Sequence, residues 1–331
     1  MGKNHEVDVV TIGESMVLIQ PMGEKGIKYE PLFSKAVAGA ESNVAVGLTR
    51  MGKSVRWISK LGTDPFGDYI LSTLSGEGID TTYVEKDEQF PTAVYFKELR
   101  VSGDPAVYYY RKNSAASHLE PADVREEWFH GARHLHVTGI TPALGSHTAA
   151  ALRKSMELAR SQGMTVSFDP NLRRKLWSEE EARGVLLSLI PLCDVFLPGE
   201  EEAEFLAGRQ ALEQYGKIFL EMGPKVVVIK RGEEGSVGFI KGDQVKAESY
   251  PVSRVVDTVG AGDAFAAGFL SVYIDSGTAL NPGIPREQLL AALERANILG
   301  ALATQFKGDW EGIPTLQEVN QLINGKQVIT R

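Results

Sequence analysis

The segment 257–265, which reads Asp-Thr-Val-Gly-Ala-Gly-Asp-Ala-Phe, carries the clearest chemical signal in the chain. Glycine leaves backbone N–H groups open to an anion, and the helix predicted to follow adds its dipole, so this turn is predicted to form an anion hole. A carboxylate beside such a hole is repulsive unless it has a task, such as accepting a proton from an attacking hydroxyl. The alternative is an ordinary glycine turn with an aspartate at a helix start. The residues concerned are Gly260, Ala261, Gly262 and Asp263.

A second cluster of small residues lies at 38–45, Ala-Gly-Ala-Glu-Ser-Asn-Val-Ala, and also joins a strand-like segment to a helix-like one. Small residues such as Gly39 and Ala40 allow a ligand to approach the backbone closely. Asn43 could present its amide to a hydroxylated ligand. Taken alone, a plain helix N-terminus explains this cluster equally well.

Two common nucleotide motifs are absent from the sequence. The pair Gly62 and Gly67 has P-loop spacing, but Asp68 follows where a lysine is required. Gly260 and Gly262 are followed by Phe265, where the dinucleotide fingerprint has glycine. The sequence therefore supports neither a P-loop enzyme nor a Rossmann dehydrogenase.

The elements that must position these residues alternate between strand and helix. Apolar, strand-like runs lie at 7–13, 55–61, 135–139, 165–168, 195–197 and 226–230, and helix-like patterns at 42–51, 66–77, 147–162, 179–190, 201–206, 262–276 and 287–304. This order predicts an α/β fold with a mostly parallel sheet covered on both faces. Segments 15–38 and 91–112 carry strand signals without helices, and 92–99 with 106–111 predict a hairpin around a turn at 102–105. A small β lid on the α/β body is expected there.

Composition narrows the class of protein. Of the 331 residues, 43% are hydrophobic and 24% charged, which is typical of a globular chain with a sizeable core, and the net charge of −8 disfavours nucleic-acid or membrane-surface binding. The longest stretch without Asp, Glu, Lys or Arg, 134–152, contains glycine, proline and histidine, so no membrane span is expected. Cys193 is the single cysteine and the N-terminus has no secretory pattern, so a cytoplasmic protein is expected.

Gly39-Ala40-x-x-Asn43, followed by Gly52 and by the segment 60–67, resembles the first signature of the PfkB/ribokinase family of sugar kinases. The segment 257–263 resembles the second signature, and the two occur in the family's order. The resemblance covers nearly the whole chain. It implies one ribokinase-like, three-layer kinase domain over 1–331, with the small β lid formed by 15–38 and 91–112.

The resemblance also implies roles for individual residues. Asp263 would be the general base, and Gly260, Ala261 and Gly262 would stabilise the phosphoryl group in flight. ATP and Mg²⁺ are implied as cofactors, dependence on a monovalent cation stays open, and Glu202 would hold magnesium through water. The residues implied to contact the nucleotide are Asn171, Arg173, Lys230, Gly232, Gly235, Gly260, Gly262 and Asn297.

Within the family, segments 13–16, 108–115, 138–144 and 169–173 are most similar to the kinases of 2-keto-3-deoxygluconate. That sugar acid carries a carboxylate, for which a planar guanidinium is the best partner, and Arg111 and Arg173 are the candidates. Tyr95 and Tyr109 offer phenols and flat faces to the sugar. Strand alternation places Tyr109 and Arg111 on one face, taken as the ligand face, and leaves Tyr108 and Tyr110 on a face predicted to be core. The expected reaction is transfer of the ATP γ-phosphoryl group to the sugar acid's terminal hydroxyl.

Three positions bear further on this resemblance. Leu18 stands where many neutral-sugar kinases of the family have an aspartate, which favours an acidic substrate because an aspartate would repel a carboxylate. Gly199 stands where the family usually has an asparagine, three residues before Glu202. Asp309 matches a late substrate-contacting position of close relatives.

Alternative functions remain at this point. The nearest is a kinase for a neutral sugar such as fructose or ribose, and a more distant one is a catalytically silent sugar-sensing regulator, which the intact Gly-Ala-Gly-Asp argues against. The expected partners are the sugar acid and ATP, with no nucleic acid and no membrane. Self-association through the edge or the aromatic face of the lid is also expected, giving a homo-oligomer.

Overall fold

The structure is a computed structural model that describes residues 6–23, 25–98, 105–277 and 283–323. Strands in these ranges are β1 Val7–Ile12, β2 Met16–Pro21, β3 Phe33–Ala38, β4 Val55–Ile58, β5 Lys60–Gly62, β6 Glu85–Asp87, β7 Val94–Glu98, β8 Ala106–Tyr110, β9 Ala132–Thr138, β10 Thr165–Asp169, β11 Val195–Phe196, β12 Val226–Lys230, β13 Ser236–Ile240 and β14 Asp243–Ala247. The α-helices are α1 Ala40–Arg50, α2 Pro65–Gly76, α3 Ser146–Ser161, α4 Glu179–Leu189, α5 Glu200–Ala207, α6 Leu212–Glu221, α7 Ala261–Asp275, α8 Arg286–Ala303 and α9 Leu316–Ile323.

The central sheet has eight strands in the order β14-β13-β12-β11-β10-β9-β1-β4. The strands from β12 to β4 in that order run parallel, and β13 and β14 add an antiparallel edge. Strands such as β12 are buried along nearly their whole length, because helices cover both faces. The predicted mostly parallel α/β sheet is therefore confirmed.

Two apolar layers lie on the two faces of this sheet. One joins the sheet to α1, α2, α7 and α8, and the other joins it to α3, α4, α5 and α6. The result is the three-layer arrangement expected from the sequence. None of the helices in the described ranges is long and apolar enough to cross a bilayer.

A small sheet of four strands, in the order β3-β2-β7-β8, lies apart from the central one. β7 and β8 pair antiparallel, with Tyr95 opposite Tyr109, so the predicted hairpin is confirmed. Of the predicted turn, only Pro105 falls within the described residues. Side chains alternate along β7: Tyr95 and Lys97 are buried on the inner face, and their neighbours are half-buried.

The prediction that Tyr108 and Tyr110 face a core is wrong. Their relative exposures are 50% and 68%, because in the described chain no second layer covers the outer face of the small sheet. Tyr109 lies between them on the inner face, half-buried, and Arg111, just beyond β8, is buried.

The run 55–61 is not one strand but two. β4 stays in the central sheet beside β1, whereas β5 turns away and pairs with β6 in a separate two-stranded sheet. A continuous apolar run is compatible with one strand or with two. Here the pairing with β1 and with β6 determines where the first strand ends and the second begins. The sequence reading also missed α6, α9, β13 and β14.

Candidate active site

A central cavity of about 430 Å³ lies between the inner face of the small sheet, the exit of β10 and the start of α7. Every residue predicted to bind the substrate lines it, together with Asn171, Glu202, Lys230, Gly260 and Gly262. The predicted substrate-binding residues are Gly39, Ala40, Asn43, Tyr95, Tyr109, Arg111, Arg173, Asp263 and Asp309. Parts of the chain more than two hundred positions apart therefore meet here, as the two signatures required.

An outer groove of about 490 Å³ adjoins this cavity. Among the residues predicted to contact the nucleotide, Lys230, Gly232, Gly235, Gly262 and Asn297 line it, whereas Asn171, Arg173 and Gly260 line the central cavity. Lys230, Thr258 and Gly262 line both spaces. An elongated ligand in the groove would thus present its end to the central cavity beside Lys230.

Asn297 lies in the middle of α8 with its amide nitrogen already engaged. It donates to the carbonyl oxygens of Ala247 and Glu248 at 3.3 and 3.0 Å, which links α8 to the end of β14. The residue lines the groove as predicted, and its amide also shapes the groove wall.

The turn predicted to form an anion hole lies at the N-terminus of α7. Gly260 is the residue before the helix and has φ +82°, a left-handed conformation that glycine adopts without strain. A Cβ at this position would lie 1.8 Å from the carbonyl oxygen of Asp309, so both the backbone angle and the close approach require glycine. The N–H groups of Gly262 and Asp263 in the first turn of α7 have no partner inside the helix, whereas the N–H of Ala261 donates to the carbonyl oxygen of Thr258 at 3.3 Å.

Asp263 lies in the first turn of α7 with its carboxylate held by two amides. Asn43 donates from Nδ2 to Oδ2 at 2.8 Å, and Asn171 donates from Nδ2 to Oδ1 at 3.3 Å. Burial raises the pKa of Asp263 to about 7; the Asn43 bond opposes this rise and the negative charge of Asp169 adds to it. A carboxylate with this pKa is suited to accept a proton near neutral pH.

Asn43 is fixed at both ends of its amide. Its Oδ1 accepts from the backbone N–H of Gly39 at 3.3 Å while its Nδ2 donates to Asp263. Gly39 packs so closely against the turn between β1 and β2 that a Cβ on it would lie 2.4 Å from the carbonyl oxygen of Glu14. Asn43 therefore positions Asp263, in addition to lining the cavity.

Lys230, Asp169 and Glu202 form a charged group at the junction. Lys230 Nζ donates to Asp169 Oδ2 at 2.6 Å. Burial alone would lower the pKa of Lys230, but Asp169 and Glu202 outweigh it and raise that pKa above its usual value. The lysine is therefore a stable positive charge, within 3.8 Å of where a Cβ on Gly262 would lie.

Glu202 holds two backbone N–H groups. Its Oε1 accepts from Leu172 and its Oε2 from Gly199, both at 2.7 Å, so the glycine that replaces the family's asparagine contributes its backbone to the glutamate. Burial raises the pKa of Glu202, Lys230 opposes the rise, and Asp169 adds to it.

The oxygen donors here fit magnesium only through its water shell. Mg²⁺ prefers carboxylate and amide oxygens and usually keeps several waters. Asp169 and Glu202 offer carboxylates, and Asn171 offers a buried Oδ1 without a hydrogen-bond partner. Within the described residues, however, no three metal-binding side chains are close enough to form a metal site by themselves.

Arg111 follows the end of β8 and lines the cavity, and its guanidinium forms an ion pair with Glu14. Its Nη2 lies 2.5 Å from Glu14 Oε2, while Ser114 donates to the other oxygen of Glu14. Its Nε is buried without a hydrogen-bond acceptor, and its guanidinium lies 5.4 Å from the ring of Tyr109. The side chain of Arg173 makes no hydrogen bond or ion pair with any residue in the described ranges, whereas its backbone carbonyl accepts from the N–H of Leu176 at 2.9 Å. The guanidinium of Arg173 is therefore available to a ligand, and Arg111 lines the same cavity.

A buried network joins the small sheet to the anion hole, and sequence reasoning missed its central residue, Lys97. Lys97 Nζ donates to Asp257 Oδ2 at 2.7 Å and to Asp309 Oδ1 at 2.9 Å. Tyr95 donates from its hydroxyl to Asp309 Oδ2 at 3.0 Å. The signal was available, because alternation along β7 puts Lys97 on the same inner face as Tyr95.

A second missed residue is Glu41, which is fully buried behind the cavity in the first turn of α1. Its Oε1 accepts from the hydroxyls of Thr138 at 2.6 Å and Thr141 at 3.0 Å, and its Oε2 has no partner. Burial raises the pKa of Glu41 to about 7, against the effect of the threonine bonds.

Leu18 does not line the central cavity. It is buried in the small sheet's own apolar cluster, next to Tyr95, whereas Met16 from the same strand reaches the cavity wall. The apolar residue that faces the ligand space from β2 is therefore Met16. Leu18 packs against Tyr95 within this cluster and so supports the cavity wall rather than contacting the ligand space.

Together these features define a class of site. A helix N-terminus and a lysine lie where an elongated groove meets a polar cavity, and a carboxylate with a pKa of about 7 lines that cavity. Such an arrangement can transfer an anionic group from a ligand in the groove to an oxygen nucleophile in the cavity.

Comparison with known proteins agrees with this class. Residues 7–316 match the pfkB family of carbohydrate kinases. The chain is 39% identical, over 98% of both chains, to 2-dehydro-3-deoxygluconokinase of Bacillus subtilis. In three dimensions it is similar to a PfkB protein from Polaromonas sp. JS666 (TM-score 0.84, 40% identity, 95% and 99% of the two chains) and to a ribokinase II from E. coli solved with ATP and Mg²⁺ (TM-score 0.85, 29% identity, 96% and 99%). The chain belongs to the pfkB family of carbohydrate kinases.

Proposed function

We propose that this carbohydrate kinase transfers the γ-phosphoryl group of ATP to the terminal hydroxyl of 2-keto-3-deoxygluconate, also called 2-dehydro-3-deoxygluconate. The observation that carries the proposal is the position of Asp263, which lines the central cavity next to Gly262, a residue that lines both the cavity and the groove. The Bacillus relative bears the name of this activity. Two arginines that line the cavity, Arg111 and Arg173, support an acidic acceptor.

The reaction then divides between the two spaces. ATP lies in the outer groove, with its adenine end near Asn297 and its phosphates at Lys230. Asp263 takes the proton of the acceptor hydroxyl as that oxygen forms its bond to the γ-phosphorus, and the bond from phosphorus to the bridging oxygen breaks to release ADP. The N–H groups of Gly260, Ala261 and Gly262 and the ammonium of Lys230 stabilise the negative charge on the transferring group.

Magnesium, when bound, offsets phosphate charge. Glu202 and Asp169 would hold it through water, and the free Oδ1 of Asn171 is a further oxygen donor. Arg173 lies between these groups and the sugar cavity, so it can contact the acceptor and the phosphate in turn.

The acceptor's carboxylate is assigned to Arg111 and Arg173. Arg111 keeps one side of its guanidinium on Glu14 and lines the cavity with that group 5.4 Å from the Tyr109 ring. A planar, pre-positioned guanidinium suits a carboxylate. Asp309 and Tyr95 line the same cavity and are assigned to hydrogen bonds with the acceptor's hydroxyl groups.

The decisive experiment is a panel of sugars and sugar acids assayed with ATP and Mg²⁺, first on the wild-type protein and then on Arg111→Ala. We expect 2-keto-3-deoxygluconate to give the highest kcat/KM, and Arg111→Ala to lower it roughly tenfold to a hundredfold, because a charge-assisted hydrogen bond is lost. Activity on neutral sugars should change much less. Arg174→Ala, an exposed arginine paired with Glu179, is the control.

A specific observation keeps a neutral-sugar kinase as the second candidate. Glu14 already neutralises part of the Arg111 charge, so the cavity is less positive than two free arginines would make it. Fructose or ribose as the best acceptor of the panel, with Arg111→Ala equally harmful to every substrate, would favour this candidate and overturn the first.

We further propose that the small sheet works as a lid of segments 15–38 and 91–112 and that its outer face mediates self-association in a cytoplasmic homo-oligomer. Phe33, Tyr108 and Tyr110 are exposed there, and Phe96 packs edge-on against Phe33 and Tyr110. Exposed aromatic patches of this kind are typical of protein–protein contacts.

A further inference from the structure

Lys97 is an ammonium group buried at a junction of three chain segments. Its side chain has no exposed surface, and it comes from β7 of the small sheet. Asp257 opens the segment that forms the anion hole, and Asp309 lies in the loop after α8. The Nζ distances of 2.7 and 2.9 Å make this one cation shared by two carboxylates.

Both aspartates contact the turn that forms the anion hole, Asp257 through its carboxylate and Asp309 through its backbone carbonyl. Asp257 Oδ1 accepts from the backbone N–H of Val259 at 3.2 Å, inside the turn that precedes Gly260. Its Oδ2 accepts from Gly308 at 3.4 Å, which ties that turn to the neighbouring loop. The carbonyl of Asp309 in the same loop packs against Gly260. A shift of either aspartate would therefore move the N–H groups of the hole.

Without a cation, this junction would be unfavourable. Two buried carboxylates would face each other a short distance from Asp263 and from the phosphates of the nucleotide. Burial lowers the pKa of Lys97, but Asp309 and Asp257 outweigh burial and raise it above its usual value, so the lysine stays charged. Tyr95, also from β7, adds a bond to Asp309, so the inner face of the small sheet is bound to the catalytic loops at two points.

We propose that Lys97 is a positioning residue for phosphoryl transfer: its ammonium is a built-in monovalent cation that holds Asp257 and Asp309, and through them the anion hole, so that this junction needs no monovalent metal ion. The inference rests on the proposed kinase activity but not on the identity of the acceptor. It also makes the anion hole dependent on the position of the small sheet, because the cation is carried by β7.

The first test needs no variant. The wild-type enzyme is assayed, with the best acceptor from the panel, in choline, sodium, potassium and ammonium chloride at equal ionic strength. We expect kcat to agree within threefold in all four salts. A rise of more than threefold in potassium or ammonium over choline would show that a second cation is required and would overturn the proposal.

The second test removes the built-in cation with Lys97→Ala. We expect kcat in choline chloride to fall about a hundredfold, the size of losing one anion-hole donor, and to recover at least tenfold in ammonium or potassium chloride but not in tetramethylammonium chloride. Small cations can enter the space left between the aspartates, whereas tetramethylammonium is too large. A folded variant with kcat within threefold of wild type, or a loss that no cation restores, would overturn the proposal.

If Lys97→Ala unfolds in choline, its thermal midpoint becomes the readout, and it should rise in ammonium or potassium chloride but not in choline; an equal midpoint in all salts would count against the proposal. Lys53→Ala is the matched control, since Lys53 pairs with Asp275 at the far end of α7 with its side chain only 10% exposed. It should show no cation rescue. Failure to phosphorylate the sugar acid would refute only the proposed substrate, because the cation series uses whichever acceptor is active.

Discussion

At the scale of single residues, Asp263 is built to remain a base. The side-chain amides of Asn43 and Asn171 donate hydrogen bonds to its two oxygens. Both amides are neutral, so neither offsets the buried negative charge as a cation would. Because burial is not fully compensated, the pKa rises to about 7 rather than falling as it would beside a paired arginine.

The variant Asp263→Asn should therefore keep the fold and both ligands but lose turnover. Its amide can still accept from Asn43, whereas it cannot take the acceptor's proton, so we expect kcat to fall roughly two to four decades. Calorimetric titration with ATP and with the acceptor measures the binding. Asp275→Asn, at the exposed end of the same helix, is the control, and an Asp263→Asn enzyme with wild-type turnover would refute the base assignment.

The raised pKa of Asp263 also sets a pH profile. The deprotonated form is active, so kcat/KM should rise about tenfold per pH unit below about 7 and level off above it. An aspartate at its ordinary pKa of 3.8 would give a flat profile from about pH 5 upward, which is the contrary outcome. Steady-state kinetics between pH 5 and 9 distinguish the two.

Site residues that lie within a recognisable sequence motif could be predicted from the sequence. Site residues whose role depends on an ion pair with a distant part of the chain could not. Asp263 and Gly260 have a recognisable neighbourhood along the chain. Lys97 and Glu14 have their partners about a hundred or more positions away, so nothing in their immediate sequence marks the pairing. Only the alternation along β7 hinted that Lys97 points inward.

At the scale of elements, the continuous apolar strands of the central sheet were predictable because burial on both faces leaves one structure for them, whereas the amphipathic helices α6 and α9 were missed. β14 is a solvent-exposed edge strand with alternating burial, and its short, polar sequence resembles a loop. The small sheet was predictable as strands. Its outer face was not, because the sequence cannot say whether a further layer covers it.

The first turn of α1 is an element whose stability should depend on pH. The pKa of Glu41 is about 7 in the folded protein against 4.5 ordinarily, so the folded state binds the proton more tightly and stability falls as pH rises through that window. Glu41→Gln removes this titration and keeps the size of the side chain. Relative to wild type, its free energy of unfolding should gain up to about 3 kcal/mol between pH 4.5 and 8.

Urea denaturation of both proteins at pH 5 and pH 8 measures this difference. Asp263 also titrates in the window but is common to both proteins, so its contribution cancels. Parallel pH dependences for wild type and Glu41→Gln would contradict the assignment of a buried, titrating Glu41.

At the scale of the whole molecule, the outer face of the small sheet should decide the oligomeric state. Placing two charges there with Tyr108→Glu and Tyr110→Glu should dissociate the assembly, because a desolvated contact cannot hold unpaired carboxylates. Sedimentation velocity at matched concentrations measures this. Leu290→Glu, at an exposed apolar position on α8, is the control, and a double variant with unchanged mass in solution would contradict the proposed interface.

The close contact among α1, α7 and α8 bears on how this enzyme could be given a new acceptor. A Cβ on Gly47 would lie 2.6 Å from the Cβ of Ala267, and one on Gly268 would lie 2.8 Å from the Cα of Ala296, so these helices have almost no room for larger side chains. They carry Asn43 and Asp263, and remodelling there would disturb the chemistry itself. Directed evolution toward other sugars is better aimed at β8, whose side chains Val107 and Tyr109 line the central cavity outside that tightly packed framework.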